Sequence, residues 1–141
     1  MLTMISSGAS SELILRDAGL RPTRQRQGMV ELLRGLGAEN VSADEMHRLA
    51  AKVGLRLSLA TTYNILNQFA KAGLVRRVDL GERTWFCTSP AGHHHFLDLS
   101  TGRLSDIDGR QPDLDHLPPP PPGYEVEGVD ILVRIRPANK S

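Results

Sequence analysis

Three consecutive histidines, His93, His94 and His95, are the residues of this sequence best suited to bind a metal ion or haem. Neighbouring side chains of an extended segment point to opposite faces, so His93 and His95 share one face while His94 points to the other. Cys87, the one cysteine of the sequence, precedes the run. A thiolate and two imidazoles suit zinc or ferrous iron, and both groups can serve as axial ligands of haem iron.

The histidine run also has a simpler interpretation, a solvated loop or the remnant of an ancestral site. With one cysteine the chain can form neither an internal disulfide nor a zinc site built mainly from its own thiolates. His116 lies close to Asp113 and Asp115 and is a weaker candidate for a second site with His94. No Ser, Asn or Asp arrangement near Cys87 supports a catalytic relay, so the sequence predicts no enzyme and no catalytic residue.

Length and charge distribution indicate one ordinary domain or two small ones, with a basic first half. The chain has 141 residues, is 40% hydrophobic and contains no apolar run long enough to cross a membrane. Residues 16–83 carry 12 lysines and arginines against 7 acidic residues, a balance of +5, whereas residues 84–141 carry 5 against 8, a balance of −3. The basic half could meet phosphate, although solvated helix faces are often basic as well. We expect a cytoplasmic protein, because the first residues lack the pattern of a signal peptide.

Four amphipathic helices are predicted in the basic half, with N-terminal caps at Ser11, Thr23, Ser42 and Ser58. The predicted inward stripe of the fourth helix consists of Leu59, Thr62, Leu66, Phe69 and Ala70. Its outer face is rich in hydroxyls and amides and consists of Ala60, Thr61, Asn64, Asn67, Gln68 and Lys71, with Tyr63 on the border. A solvated face would be expected to carry more glutamate and lysine.

LVRRVDLGERTWFCT, after Gly73, has the alternating pattern of a hairpin, with Arg76, Arg77 and Arg83 expected near its tip. Three helices and a basic hairpin make a winged helix-turn-helix, in which the fourth helix enters the major groove and the hairpin lies along phosphates. A winged helix used for protein contacts is the alternative.

The DNA-contacting residues follow from this placement. We predict that Thr61 and Tyr63 contact base edges or thymine methyl groups, and that Ser58 and Asn64 add groove or phosphate contacts, because all four lie in the first two turns of the helix. The residues assigned to phosphate lie at a helix start or in the wing, and they are Arg24, Arg26, Arg76 and Arg77.

The acidic half predicts a small sheet. HHFLDLSTGRLSDID has the pattern of a hairpin around Thr101 and Gly102, and VDILVRIRP that of a last strand. HLPPPPPGY between them cannot be helical, because proline lacks an N–H donor and clashes with the preceding turn. Three short strands are too few to be stable alone, so we expect their apolar side to pair with a second copy.

The sequence resembles, in the order and spacing of four segments, the ferric uptake regulator family of metal-responsive bacterial repressors. The segments are RPTRQR, VSADEMHRL, LSLATTYNILNQFAKAGLVRR and HHHFLDLSTGRL. The resemblance implies an α+β fold: an N-terminal winged helix-turn-helix domain, residues 1–88, followed by a small α/β dimerisation domain, residues 89–141. It also implies a homodimer that binds AT-rich inverted repeats of double-stranded DNA, with metal or ligand state controlling the affinity.

The sequence departs from the family pattern at its metal sites. Asp98 and Thr101 stand where relatives usually have a C-x-x-C pair for structural zinc, so that zinc site is not expected here. Asn40 and Cys87 match a His and a Glu that usually reach the regulatory metal. The histidines of that site that remain are His93 and His95, while His94 stands where many members have Asp.

The HHH run without the cysteine pair, TTYNILNQF and the proline-rich tail resemble the iron response regulator subgroup. Those proteins sense haem and control haem and iron metabolism genes. The resemblance implies haem as effector, bound at His93, His94, His95 and Cys87. Two alternatives remain: a repressor that depends on Fe, Mn or Zn at the histidines, and a haem or metal carrier that kept a winged-helix scaffold.

Overall fold

The computed structural model describes residues 5, 8–37, 40–80, 82–88 and 94–139. The chain forms two compact units, Met1–Ala91 and Gly92–Ser141. Within the described residues, no helix is long and apolar enough to cross a membrane.

Four helices build most of the first unit: α1 (Ser11–Asp17), α2 (Arg24–Leu36), α3 (Ala43–Lys52) and α4 (Leu59–Lys71). The predicted caps of α2, α3 and α4 are confirmed, because the hydroxyls of Thr23, Ser42 and Ser58 each accept a hydrogen bond from a backbone N–H in the first turn. The cap predicted for α1 is wrong by one residue. Ser10 has the extended backbone that a cap requires and accepts from Leu13 N, whereas Ser11 is already helical.

The buried stripe of α4 differs from the predicted one at its first turn. Thr62, Ile65, Leu66 and Phe69 are buried, whereas Leu59 is 44% exposed. Leu59 was expected inside, but it lies at the start of the helix, one turn before the residues that meet the core. The buried hydroxyl of Thr62 is satisfied by donating to the carbonyl of Ser58, 2.9 Å away.

A three-stranded antiparallel sheet completes the first unit, in the order β1-β3-β2. Its strands are β1 (Asn40–Val41), β2 (Arg76–Leu80) and β3 (Arg83–Cys87). Strands β2 and β3 form the predicted wing, with Leu80 opposite Arg83 at its tip. Arg76 and Arg77 were expected near the tip, but they pair with the last two residues of β3 and lie at the opposite end of the hairpin.

The core of the first unit joins all four helices to the wing. Its largest fully buried side chains include Met29, Leu33, Met46, Leu66, Phe69 and Phe86. Gly28 allows the side chain of Leu55 to pack closely against α2, because a Cβ atom at position 28 would lie 2.7 Å from Cδ2 of Leu55.

The second unit is a small sheet in the order β5-β4-β6. Its strands are β4 (His95–Asp98), β5 (Leu104–Asp106) and β6 (Leu132–Ile135). Strand β4 is antiparallel to β5 and parallel to β6. The hairpin predicted around Gly102 is confirmed: this glycine has a φ of 73°, and its N–H donates to Asp98 O at 2.7 Å.

A long connection runs from β5 to β6 and includes the proline run. Residues 117–121 are neither helix nor strand, as predicted for HLPPPPPGY, and they are exposed. Residues 94–139 contribute strands and no helix to this unit. Strand β6 lies at the edge of the described sheet and exposes Val133 and Ile135.

Candidate nucleic-acid interface and histidine run

The first turn of α4 presents two hydroxyls that are tied to each other. Ser58 Oγ accepts from Thr61 N at 3.0 Å and donates to Thr61 Oγ1 at 2.9 Å. Ser58 is exposed and Thr61 is half-buried. One turn further, Asn64 is exposed and its side chain makes no hydrogen bond to any described residue. Asn64 and the hydroxyl hydrogen of Thr61 are therefore available to an external partner, whereas the hydroxyl of Ser58 serves as the helix cap.

Tyr63 is held between the core and an arginine of the wing. Its ring packs edge-on against Phe86, with centroids 6.3 Å apart and an interplanar angle of 78°. The guanidinium carbon of Arg77 lies 5.6 Å from the centroid of the Tyr63 ring. This contact is within the range of a cation–π interaction, so the orientation of the half-buried ring is fixed before any ligand binds.

Arg77 is paired with an acid on its own strand. Its Nε donates to the carboxylate of Asp79 at 3.1 Å, and this hydrogen bond raises the pKa of Arg77. The pKa of Asp79 is lowered, first by the hydroxyl of Thr84, which donates to it at 2.8 Å, and then by Arg77. Much of the charge of Arg77 is therefore compensated within the wing.

Two amides on the outer face of α4 are bonded to arginines from other elements. Asn67 Oδ1 accepts from Nη1 of Arg77 in β2 at 2.5 Å. Gln68 Oε1 accepts from Nε and Nη2 of Arg26 in α2, at 3.3 and 3.0 Å. The sequence placed both amides on the outer face of the helix without assigning them to the site. Their signal was that two adjacent amides occupy a helical face where charged residues are the usual choice.

The remaining arginines of the first unit differ in their exposure and in their contacts. Arg24, at the start of α2, is exposed and makes no hydrogen bond or ion pair to any described residue. Arg76, the first residue of β2, is half-buried. A concavity of about 840 Å³ lies between the starts of α3 and α4 and the wing, with Tyr63 and Arg83 among its lining residues. The first unit thus offers a polar helix face flanked by a hairpin and a groove.

The described part of the histidine run is engaged within the second unit. His94 is 9% exposed, and its Nδ1 accepts from the N–H of Ile131 at 3.0 Å. His95 is 1% exposed, its Nε2 lies 3.3 Å from Asp106 Oδ1, and its N–H donates to the carbonyl of Ile131 at 3.0 Å. His93 lies outside the described residues. The two histidines tie β4 to β5 and to the segment that leads into β6.

The sequence matches the profile of the Ferric uptake regulator family over residues 17–116. The chain belongs to the ferric uptake regulator family. It is 33% identical over 95 residues to the ferric uptake regulation protein of Yersinia pestis, which covers 66% of this chain but only 64% of that relative. The ferric uptake regulation protein of Rhizobium leguminosarum bv. viciae is 31% identical over 108 residues, or 75% of this chain and 74% of the relative.

A solved member of the ferric uptake regulator family has the same fold. The ferric uptake regulator from Pseudomonas aeruginosa, solved with manganese, matches 93% of this chain and 100% of its own, with a TM-score of 0.68 and 23% identity. At that identity the likeness concerns the fold alone, so the chemistry of the site rests on the residues of this chain.

The positions that match the family's regulatory metal ligands include a pair of neighbours in the first unit. Asn40 and Cys87 are directly opposite each other in the ladder between β1 and β3, so their side chains lie on the same face of the sheet. Both are buried, at 6% and 2% exposure. The structure therefore brings an amide and a thiol together at these two positions.

The spacing of the described His, Cys, Asp and Glu side chains determines whether they can hold a metal ion. Among them, no three His, Cys, Asp or Glu side chains come close enough to hold a metal ion. In neutral His94 the lone pair of Nδ1 points at the N–H of Ile131, so the proton is on Nε2 and neither nitrogen offers a lone pair to a metal. His116 is exposed and belongs to no such cluster of the described residues.

The two positions that match the family's structural zinc cysteines form a turn closed by its own side chains. Asp98 Oδ1 accepts from the N–H and the hydroxyl of Ser100, at 2.8 and 2.6 Å, and these bonds lower the pKa of Asp98. Thr101 Oγ1 accepts from Arg103 N at 3.2 Å. Hydrogen bonds among its own residues thus hold the turn between β4 and β5.

Proposed function

We propose that the chain is a DNA-binding transcriptional regulator, a repressor that acts as a homodimer on AT-rich inverted repeats. The observation that carries the proposal is the outer face of α4, where hydroxyls, amides and one tyrosine are held ready beside a wing. A helix of this kind enters the major groove, and its polar side chains hydrogen-bond to base edges. Membership of a family of regulators supports the same conclusion and argues against an enzyme.

The side chains divide into two roles on DNA. Thr61 and Tyr63 meet base edges or thymine methyl groups, with Ser58 and Asn64 beside them in the first two turns of α4. Phosphate is bound by arginines at the edges of the surface, among them the exposed Arg24.

The edge of the second unit supports the proposal of a homodimer. Strand β6 ends the described sheet and exposes apolar side chains at Val133 and Ile135. An exposed edge of this type readily pairs with another chain, and a two-fold dimer carries two winged helices to two half-sites. The two-fold symmetry of such a dimer is the reason to expect an inverted repeat.

The proposal includes an effector, haem taken up at His93–His95, which weakens DNA binding so that the ligand-free dimer is the active repressor. A ligand can shift DNA affinity only by its differential affinity for two arrangements of the dimer. Since His94 and His95 are engaged within the second unit, their rings become available only when contacts to β5 or to Ile131 are released. The rival within the family is a repressor that responds to a metal ion, as the manganese in the Pseudomonas aeruginosa structure suggests for that protein.

The test combines DNA retention with a haem titration. A labelled AT-rich palindrome should be retained at physiological salt more strongly than random DNA, and haem should release it while a Soret band appears. Changing His93, His94 and His95 together to alanine should abolish both effects of haem. A triple variant that keeps its fold, its haem spectrum and its haem-dependent release would remove the histidine run as sensor. Ligand uptake without specific DNA retention would favour a carrier, and release by Fe, Mn or Zn instead of haem would favour the metal-dependent repressor.

A further inference from the structure

The hydrogen bonds on the outer face of α4 determine which way two amides point. An arginine side chain has only donors, so the atom that it contacts on a glutamine or asparagine must be the carbonyl oxygen. Arg26 contacts Gln68 through two nitrogens, and Arg77 contacts Asn67 through one. The amide NH2 groups of Asn67 and Gln68 are therefore turned away from the arginines.

Both arginines are themselves fixed by further contacts. Nη1 of Arg26 donates to the carbonyl of Arg21 at 3.1 Å, which anchors the guanidinium to the segment before α2. Arg77 is held by Asp79 and lies over the ring of Tyr63. Anchored donors on both sides keep each amide from flipping by 180°, because a flipped amide would place its NH2 group against a guanidinium.

At Asn67 and Gln68 the exposed surface of α4 consequently presents hydrogen-bond donors. Gln68 is exposed and Asn67 is half-buried, and both line a depression of about 420 Å³. The other residues that line it are Asn64, Ala70, Lys71 and Arg77. Lys71 adds a third group that can only donate. A ligand that fits this depression presents acceptors to it.

The bases differ in whether their major-groove edges present hydrogen-bond acceptors or donors. Thymine O4 and guanine O6 are acceptors, whereas adenine N6 and cytosine N4 carry donors at the same place. Because the N7 atoms of adenine and guanine are both acceptors, a donor distinguishes these two bases only where it faces the exocyclic group. The usual bidentate pairing of Asn or Gln with adenine needs both the oxygen and the nitrogen of the amide. In this chain Gln68 Oε1 already accepts two hydrogen bonds from Arg26, which occupy both of its lone pairs and block that pairing. Asn67 Oδ1 accepts one bond from Arg77, which turns its NH2 group toward the surface but leaves one lone pair.

We propose that Asn67 and Gln68, clamped by Arg77 and Arg26, donate to the exocyclic oxygen atoms of the keto bases of the operator and thereby select thymine or guanine over adenine and cytosine at the base positions they face. This inference rests on the proposed binding of α4 in the major groove. It makes Arg26 and Arg77 positioning residues for base recognition, in addition to any contact with phosphate.

The experiment is a base scan with the full-length protein. Fluorescence anisotropy measures its affinity for a labelled AT-rich palindrome and for duplexes in which each base pair is replaced in turn. We expect replacement of a keto base by an amino base to weaken binding by about tenfold or more at one or two positions of each half-site. A wild-type protein that prefers adenine or cytosine at every position facing the third turn of α4 would overturn the proposal.

Gln68→Glu is the decisive variant. It keeps an acceptor for Arg26 and replaces the outward NH2 group by an oxygen, so the preference at one position should change from keto to amino bases. Gln25→Glu is the matched control: it is the same substitution at an exposed position of α2 that has no assigned base contact, and it should leave the base profile unchanged. An unchanged base profile in Gln68→Glu would refute the donor assignment.

Arg26→Ala tests the clamp itself and keeps the proposal open to refutation if Gln68→Glu folds poorly. Without Arg26 the amide of Gln68 can flip, so thymine and adenine should be bound with similar affinity at that position. Retention of the full thymine preference would show that Arg26 does not set it. Equal affinity of the wild-type protein for every duplex, random DNA included, would instead refute the proposed function and the base reading with it.

Discussion

The Nδ1 atom of His94 accepts a hydrogen bond from the backbone N–H of Ile131, 3.0 Å away, across 37 positions of the chain. His94 lies directly before β4 and Ile131 directly before β6, so this bond fixes the entry of the edge strand. The bond from His95 N to Ile131 O at 3.0 Å continues the same connection in the parallel ladder. The histidine run and the strand expected to pair with a second copy are thus mechanically linked.

Replacing His94 by alanine should destabilise the second unit. The N–H of Ile131 then loses its acceptor in a partly buried position, which costs about 1 to 3 kcal/mol in the free energy of unfolding. His94→Asn should be milder, because Oδ1 of asparagine can take the place of Nδ1. Chemical unfolding and the exchange rate of the Ile131 amide measure the effect. Equal losses in both variants, with Ile131 exchange unchanged, would show that the bond does not hold β6.

Tyr63→Ala should lower the affinity for a specific operator by about 1 to 3 kcal/mol, the range of a good base contact. Tyr63→Phe keeps the edge-on packing against Phe86 and the surface under Arg77, so it isolates the contribution of the hydroxyl. Binding to the operator and to random DNA is compared by anisotropy. If random DNA loses as much affinity as the operator, Tyr63 does not read bases.

Arg24 and Arg77 should differ in the salt dependence of DNA binding. Arg24 is exposed and makes no ion pair with the described residues, so Arg24→Ala should reduce the slope of log K against log salt by about 1. Arg77 is compensated by Asp79, so Arg77→Ala should change the slope less and the base preference more. Identical slopes for the two variants would mean that Asp79 does not limit the contact of Arg77 with phosphate.

The elements themselves could be predicted from local patterns, whereas the contacts between them could not. Hydroxyl caps before α2, α3 and α4 act on neighbours three residues along the chain, so a short window of sequence suffices. The clamp from Arg26 to Gln68 spans 42 positions, and it depends on how α2 crosses α4. For the same reason the residues on the outer face of α4 could be predicted from the sequence, whereas the orientation of their amides could not.

The turn at Asp98 gives a pH dependence with a defined sign. Hydrogen bonds from Ser100 lower the pKa of Asp98 in the folded chain below its value in the unfolded chain. The carboxylate therefore stabilises the turn above about pH 4, and this contribution is lost as the pH falls through the lower, folded pKa. Asp98→Asn should flatten the dependence of stability on pH below about pH 4. If the stability of the variant falls at low pH as steeply as that of the wild-type protein, other carboxylates cause the dependence.

The chelation of metal should leave the second unit folded and dimeric. The turn between β4 and β5 is closed by Asp98 and Thr101 through hydrogen bonds to Ser100 and Arg103, at the positions of the family's zinc thiolates. Sedimentation of the purified protein with and without a strong chelator measures the outcome. A dimer that dissociates on chelation, and re-forms when zinc is restored, would contradict this prediction.

Two glycines of α2 provide a matched test of packing against helix propensity. A Cβ at Gly35 would meet no atom within 4 Å, so Gly35→Ala should stabilise the first unit by up to about 1 kcal/mol, the difference in helix propensity. At Gly28 the same methyl group would lie 2.7 Å from Cδ2 of Leu55, and the leucine must move to admit it. Gly28→Ala should therefore gain less than Gly35→Ala, or lose stability where the leucine cannot adjust. Thermal unfolding of the two variants ranks them, and a larger gain at Gly28 would mean that Leu55 does not pack tightly against α2.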